Sequence, residues 1–393
     1  MSSREVNNHV HTVYSFSPYT PEEAVIQAKK ADLSAVGIMD HDSVAGILEM
    51  VDAGKKYQMP VTSGFELRVN FSDTPFENRL INAPGMPNIA YIALHGVRTS
   101  VINECENFLL PISLEREKRN IKIIERANSL LAPYNICHID YFIDVKPLSM
   151  ASVGGSVTER HLLLAVCNAL IEKFGRGEKL LKFLTKELQL KITKKVSDYL
   201  LDADNPHYIY DFLGALKTDF LDSIFVQPNA SECINVKEMP CFAEKIGAVL
   251  AYAYLGDVEE SPTGDKKAEK FEDEYLEEFI KYIKQIGFHG VTYMPPRNTQ
   301  EQLNYISQIA RENELMEISG VDINSSRQFF NCKEILQPQF EHLLTATWGL
   351  IGHESVAIDK GLFSTYAKTE YPSLTDRIEY FADLGKRSIF LDD

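Results

Sequence analysis

The chain is short of basic residues. Lysine and arginine number 40 against 56 aspartates and glutamates, leaving a formal charge of −16. A nucleic-acid backbone demands clustered positive charge, so long nucleic acid is not an expected partner. A small phosphorylated molecule is not excluded, because a bound metal supplies local positive charge whatever the global sign. No apolar run approaches the length of a membrane span, so no membrane partner is expected, and "MSSREVNNHVH" lacks the apolar core of a signal peptide. Only six cysteines occur, none in a CxxC pair. Several sit among apolar residues, as in "LLLAVCNAL", and read as buried reduced thiols. These absences together point to a cytoplasmic protein. There is one tryptophan, Trp348, and neither an internal repeat nor a low-complexity segment.

What is present is an ordinary globular balance, 45% hydrophobic and 24% charged. A length of 393 residues is long for one domain but normal for a barrel with an insertion. The first 67 residues alternate. "EVNNHVH" reads as a strand and "YTPEEAVIQAKKADL" as a helix, with Thr20 as cap, Pro21 in the first helical position and Glu23 completing a capping box. "SAVGIMD" is an apolar strand, "DSVAGILEMVDAGKKYQ" a helix with Ser43 near its start, and "MPVTSGFEL" a third strand. This βαβαβ order predicts a parallel sheet with helical crossovers. "NIAYIALHGV" is a fourth strand candidate after a polar loop. From Glu104 to Glu232 the chain turns mostly helical, as in "VTERHLLLAVCNALIEKF". Alternation then resumes, with strands expected at "GAVLAYAY", "GVTYM" and "MEISGVD". The expected organisation is a discontinuous barrel over 1–104 and 232–330, a helical insertion over its mouth at 105–231, and an extension packed on the barrel at 331–393.

Three strands end in groups that could carry chemistry. Side chains at i and i+2 of a strand share a face, so His9 and His11 can reach one ion, or they are simply two surface or core histidines. "GIMDHDS" places Asp40, His41 and Asp42 just past a buried strand, where barrels keep functional groups. Helix capping could account for Asp42 but not for His41. "TSGFEL" puts Glu66 at the same level. Imidazole and carboxylate together suit zinc, manganese or iron.

These motifs resemble the PHP (polymerase and histidinol phosphatase) family, in its small metal-dependent phosphoesterase branch. That family has HxH, a TDHD-like turn, GxE, further histidines and a GSDxH-like end. Here they read "HVHT", "MDHD", "GFEL" and "GVDIN", in matching order over residues 6–67 and again over 243–325. "TERHLLLAVCNAL" resembles the family's GRPHIA-like helix. The resemblance implies an α/β fold, a distorted seven-stranded (βα) TIM-like barrel with a helical insertion. It implies at least one divalent metal site, held by His9, His11, Glu66 and Asp322. It places His161 at an active-site histidine of the insertion, beside Arg160, whose planar guanidinium matches phosphate oxygens.

The pattern also breaks. The family's second site wants a histidine near Ala93. His95 lies two residues further on the same strand face and is the candidate substitute. Tyr252 stands where another histidine is expected. For the third site, Phe16 falls at an acidic position and Asn324 replaces the last histidine, leaving His41 short of partners. The expected activity is therefore hydrolysis of a small phosphoester, a metabolite or a nucleotide. His161, His41 and Asp40 are the candidate proton-transfer groups and Arg160 the candidate phosphate contact. The alternative is a degenerate PHP fold that binds metal or phosphorylated ligand with little or no catalysis. Hydrolysis of a non-phosphate bond is the least favoured. The sequence does not fix the oligomeric state.

Overall fold

The computed structural model describes residues 5–217, 219–258 and 270–388. Most of the polar stretch "GDVEESPTGDKKAEKFED", residues 256–273, and most of the final "RSIFLDD" lie outside the described residues. No helix among the described residues is long and apolar enough to cross a membrane.

The strands are β1 (Val6–Val10), β2 (Ala35–His41), β3 (Val61–Asn70), β4 (Ile89–His95), β5 (Ile234–Asn235), β6 (Val249–Ala253), β7 (Gly290–Tyr293) and β8 (Met316–Ser319). They pair in the order β1-β2-β3-β4-β6-β7-β8, with the two-residue β5 against β3. The sheet curls until Val10 bridges Ile323, where His11 N donates to Ile323 O at 3.0 Å. The result is a nearly closed barrel of seven mixed strands alternating with helices, the distorted TIM-like fold.

Helices α1 (Pro21–Lys30) and α2 (Ile47–Tyr57) join the first three strands. The Thr20 and Glu23 capping box forms as the sequence predicts. The second helix starts four residues later than expected from Ser43. Asp42 adopts a left-handed φ of 48°, and the Ser43 hydroxyl caps a turn at Ala45 rather than a helix.

The expected parallel pairing holds for β1, β2 and β3, whereas β4 runs antiparallel to both β3 and β6. The cause is the connection. Residues 71–88 contain no helix, and parallel neighbours need a long crossover. This reversal decides where His95 ends up.

Between β4 and β5 lie α3 (Ile102–Leu131), α4 (Glu159–Phe174), α5 (Glu178–Lys182), α6 (Lys194–Leu201), α7 (Tyr208–Leu216) and α8 (Asp219–Ile224). The start of α3, with Ile102, Cys105, Leu109 and Ile112, packs into the barrel core, while Ile123 further along α3 joins Leu162, Val166, Leu170 and Phe212 in a second apolar cluster. Three buried arginines tie the two bodies together. Arg116 bonds Asp42 and Glu232, Arg119 bonds Glu159 and Glu232, and Arg68 of β3 bonds the same two glutamates. Three guanidiniums thus meet three carboxylates.

The remaining helices are α9 (Met239–Ile246), α10 (Leu276–Ile286), α11 (Gln300–Glu312), α12 (Glu341–Glu354), α13 (Thr365–Glu370) and α14 (Leu374–Ser388). Ala346 and Leu350 of α12 pack on Val249 and Ala251 of β6 and on Met316 and Ile318 of β8. The alternate residues Leu250 and Tyr252 belong to the outer core with Phe279. So α12 plugs the barrel floor. Asn8 Nδ2 donates to Thr347 Oγ1 at 2.8 Å, and Ser63 N donates to Glu354 at 2.9 Å. His353, in "LIGHES", is a core residue. Its Nδ1 accepts from Leu362 N at 2.9 Å and its Nε2 donates to Gly247 O at 2.8 Å. All six cysteines are free, and Cys137 and Cys241 are exposed rather than buried.

Candidate metal centre

Close packing positions the first two histidines. The backbone of "GVD" runs so near β1 that a Cβ on Gly320 would fall 2.5 Å from the His9 Cβ. The Asn7 carboxamide oxygen accepts from His9 N at 3.0 Å and from Val321 N at 2.8 Å, tying β1 to the segment that carries Asp322. Beyond β1 the chain turns, and buried Asp40 holds that turn. Its oxygens accept from Thr12 N at 2.7 Å, Thr12 Oγ1 at 2.6 Å and Ser15 Oγ at 2.6 Å. Ser15 Oγ also lies 3.3 Å from His11 Nδ1. Having given its proton to Asp40, Ser15 can only accept there, which puts the imidazole proton on Nδ1 and leaves the Nε2 lone pair free. Asp40 thus orients a histidine and does not line the cavity. Its expected part in proton transfer has no geometric support.

At the mouth the donors converge. Glu66 Oε2 lies 3.4 Å from His9 Nε2, and Glu66 Oε1 lies 3.4 Å from His11 Nε2 and 2.9 Å from His41 Nδ1. Asp322 Oδ1 stands 3.2 Å from His11 Nε2. One donor atom each from His9, His11 and Glu66 fall within 4.8 Å of one another. His11 Nε2 is buried and has no well-formed hydrogen bond. A buried imidazole lone pair facing two carboxylates is what a divalent ion would satisfy, and this donor set suits zinc, iron or manganese.

The imidazoles and carboxylates also shift one another's ionisation. Burial would lower the His9 pKa, but Glu66 and Asp322 outweigh it and raise it above the ordinary imidazole value. His41 behaves alike: burial opposes charge, yet Glu66 and then Asp42 lift it. Burial works to raise Glu66, and His41 and His9 overcome it and hold the carboxyl low. Asp322 is also held low, with His11 and His9 overriding burial. The carboxylates therefore stay charged and ready to ligate.

This group opens on a cavity of about 850 Å³. His41, Asp322 and Tyr91 line it from the barrel, and Arg160, Leu163 and Phe225 from the helical segment. That volume suits a small ligand. His161 does not line it. Its Nδ1 accepts from Thr158 N at 3.1 Å and so caps α4, and burial, with Arg160 beside it, lowers its pKa to about 3. An N-terminal capping box explains the "TERH" pattern without invoking proton transfer. Arg160 does face the cavity, with Nη1 donating to Asn324 O at 3.2 Å.

The comparisons with known proteins now apply. The PHP domain matches over residues 7–289. The chain belongs to the PHP domain family. Two solved structures are similar in fold. One is a Bifidobacterium adolescentis protein named for an inferred metal-dependent phosphoesterase activity, 18% identical, with a TM-score of 0.54, covering 84% of this chain and 94% of its own. The other is an amidohydrolase from Chromobacterium violaceum with bound sulfate and no metal, 15% identical, with a TM-score of 0.52, covering 83% of this chain and 90% of its own. At such identities the likeness shows the fold. No curated protein matches the chain.

Within this PHP barrel the departures have definite geometry. Because β4 is reversed, two residues past Ala93 lead away from the mouth. Ala93 pairs with Glu66, while His95 pairs with Gly64 below it. His95, like Asp322, lies outside the tight group of His9, His11 and Glu66, and its buried Nε2 has no hydrogen-bond partner among the described residues; burial, then His9, lowers its pKa to about 3. Tyr252 faces outward against Phe279 and donates to Glu272 at 2.7 Å, so it does not reach the site. Asn324 Nδ2 donates to Asp322 Oδ1 at 2.5 Å. Phe16 lies edge-on to His161, ring centres 4.9 Å apart, beneath the Arg160 guanidinium. Sequence reasoning missed Tyr91, whose signal was its alternation with Ala93 in "AYIALH". It also missed the Arg68, Arg116 and Arg119 hub, for which the sequence holds no local signal.

Proposed function

We propose that this chain is a metal-dependent phosphoesterase that hydrolyses a small phosphorylated metabolite, with nucleotides among the candidates. The observation that carries the reading is the convergence of His9, His11 and Glu66 at the base of a cavity of about 850 Å³. His9, His11, Glu66 and Asp322 would hold the ion, which we take to be zinc, manganese or iron. When bound, the ion supplies hydroxide near neutral pH and polarises the phosphoryl oxygen. The other roles fall to the protein. His41, steered by Glu66 at 2.9 Å and partly open to the cavity, is our choice for the group that moves a proton at its Nε2. Arg160 offers a guanidinium to the phosphate. Leu163 and Phe225 of the helical wall give the cavity an apolar side. We likewise assign 105–231 as an insertion in a barrel built from 1–104 and 232–330, with 331–393 as an extension.

A second reading, metal or phosphate binding without turnover, draws support from Asn324, whose amide occupies an Asp322 oxygen at 2.5 Å. The test joins two measurements on one preparation: metal per chain by elemental analysis, and phosphate release from a panel of phosphomonoesters. A loaded chain that releases phosphate supports the first reading. A loaded chain that hydrolyses none supports the second.

A further inference from the structure

On the barrel wall of the cavity that Arg160 also lines stands a phenol with no assigned task. Tyr91 lies on the reversed strand β4. Ile92 and Leu94 turn outward into the core, so Tyr91 shares the inward face with Ala93 and His95. Ala93 pairs with Glu66 and Tyr91 with Arg68, which sets Tyr91 one step above the donor group, toward the mouth. Its ring centre is 5.6 Å from that of His41, and the ring lines the cavity.

The ring is fixed. The Asn82 carboxamide accepts from Tyr91 N at 2.7 Å and donates to Tyr91 O at 2.9 Å, and it also donates to Ala253 O at 2.6 Å. The ring packs against Ala83, Met86, Ile89 and Cys233. Among the described residues the hydroxyl has no hydrogen-bond partner, though the backbone of the same residue is fully engaged. Nearby cations are committed elsewhere: Arg68 to Glu159 and Glu232, Arg116 to Asp42 and Glu232. A phenol is protonated at neutral pH and donates one hydrogen bond at no charge cost. A donor held in place before the ligand arrives needs no reorganisation.

We infer that Tyr91 is a substrate-binding residue whose hydroxyl donates to a non-bridging oxygen of the phosphoryl group. This rests on the phosphoesterase reading, and the experiment separates the two. Wild-type full-length chain and Tyr91→Phe are loaded with metal. Elemental analysis, hydrolysis of p-nitrophenyl phosphate and calorimetric binding of inorganic phosphate are then compared. We expect equal metal content, a fall of about 10- to 100-fold in kcat/KM, and phosphate affinity weakened by about tenfold or more, the effect of one charge-assisted hydrogen bond. Unchanged kinetics and unchanged phosphate affinity overturn the inference, as does loss of metal from the variant. A wild type that binds phosphate more tightly than Tyr91→Phe, yet hydrolyses no ester, overturns the phosphoesterase reading and upholds Tyr91. A wild type that does neither overturns both.

Discussion

Glu66 Oε1 lies 2.9 Å from Nδ1 of His41, while the other oxygen of the same carboxylate approaches His9 at 3.4 Å. One side chain therefore touches both the donor group and the histidine assigned to proton transfer. Replacing it separates charge from shape. Glu66→Gln keeps the volume but removes the anion. We expect metal retained after dialysis to fall at least about tenfold, the scale on which altered ligation acts on affinity. Full occupancy in this variant would remove Glu66 from the site.

Gly320 offers a test from the backbone side. A methyl group there would meet the His9 Cβ at 2.5 Å and the His9 backbone nitrogen at 2.8 Å. Neither neighbour is a flexible side-chain end. Gly320→Ala should destabilise the chain by about 1–3 kcal/mol through overpacking. It should also weaken metal binding, because β1 can yield only by moving His9. Denaturant midpoints and metal titration check both parts, and a variant that matches wild type in each would show that β1 has room to spare.

The arginine hub predicts an asymmetry between partners. Glu232 keeps Arg68 and Arg119 if Arg116 is removed, whereas Asp42 loses its bonded arginine and its second oxygen is already buried without a partner. Arg116→Met should cost about 3–5 kcal/mol, because it strands a buried charge. Adding Asp42→Asn should recover part of that loss. Equal stability of the single and double variants in urea would mean the pair is not coupled.

Glu354 sets a pH dependence at the barrel floor. Burial raises its pKa to about 8, against lowering by its bond from Ser63. The unfolded chain releases this proton near the ordinary carboxyl value, and the folded chain keeps it, so over that window the folded state binds more protons. Stability from this group is full below about pH 4.5 and is lost as pH rises through about 8. The slope is at most about 1.4 kcal/mol per pH unit. Glu354→Gln should flatten the difference between stability at pH 5 and pH 8. An identical pH profile for both proteins would show that Glu354 is charged in the fold.

The sequence made the donor group readable because His9 and His11 alternate at the end of β1 and Glu66 interrupts the apolar β3. His9 and His11 follow from strand periodicity and from the rule that chemistry sits at strand ends, whereas β3 runs four residues past Glu66 to Asn70. His95 did not, because periodicity fixes the face of a strand and not its direction. Only the missing crossover helix over 71–88 signals that β4 turns round. His161 and Asp40 carried residue types suited to proton transfer, and the structure gives both to hydrogen bonds that hold the chain: a helix cap for one, the turn beside His11 for the other. The charge hub was invisible for a different reason. Its members sit at positions 42, 68, 116, 119, 159 and 232, and nothing local relates them.

The closure of the barrel also has a consequence in time. β1 carries His9 and leads into His11 near the start of the chain, yet it is held by Ile323 on its edge and Thr347 beneath it, more than 300 positions later. Loop-closure entropy must be met before such distant contacts give anything back, so folding that depends on them is slow. During synthesis at about 5–20 residues per second, His9 and His11 wait on the order of tens of seconds before their supports leave the ribosome. Over that interval the apolar edge of β1 and β2 is open to other chains. A chaperone that shields the first strands would then govern how much protein ever acquires a metal site.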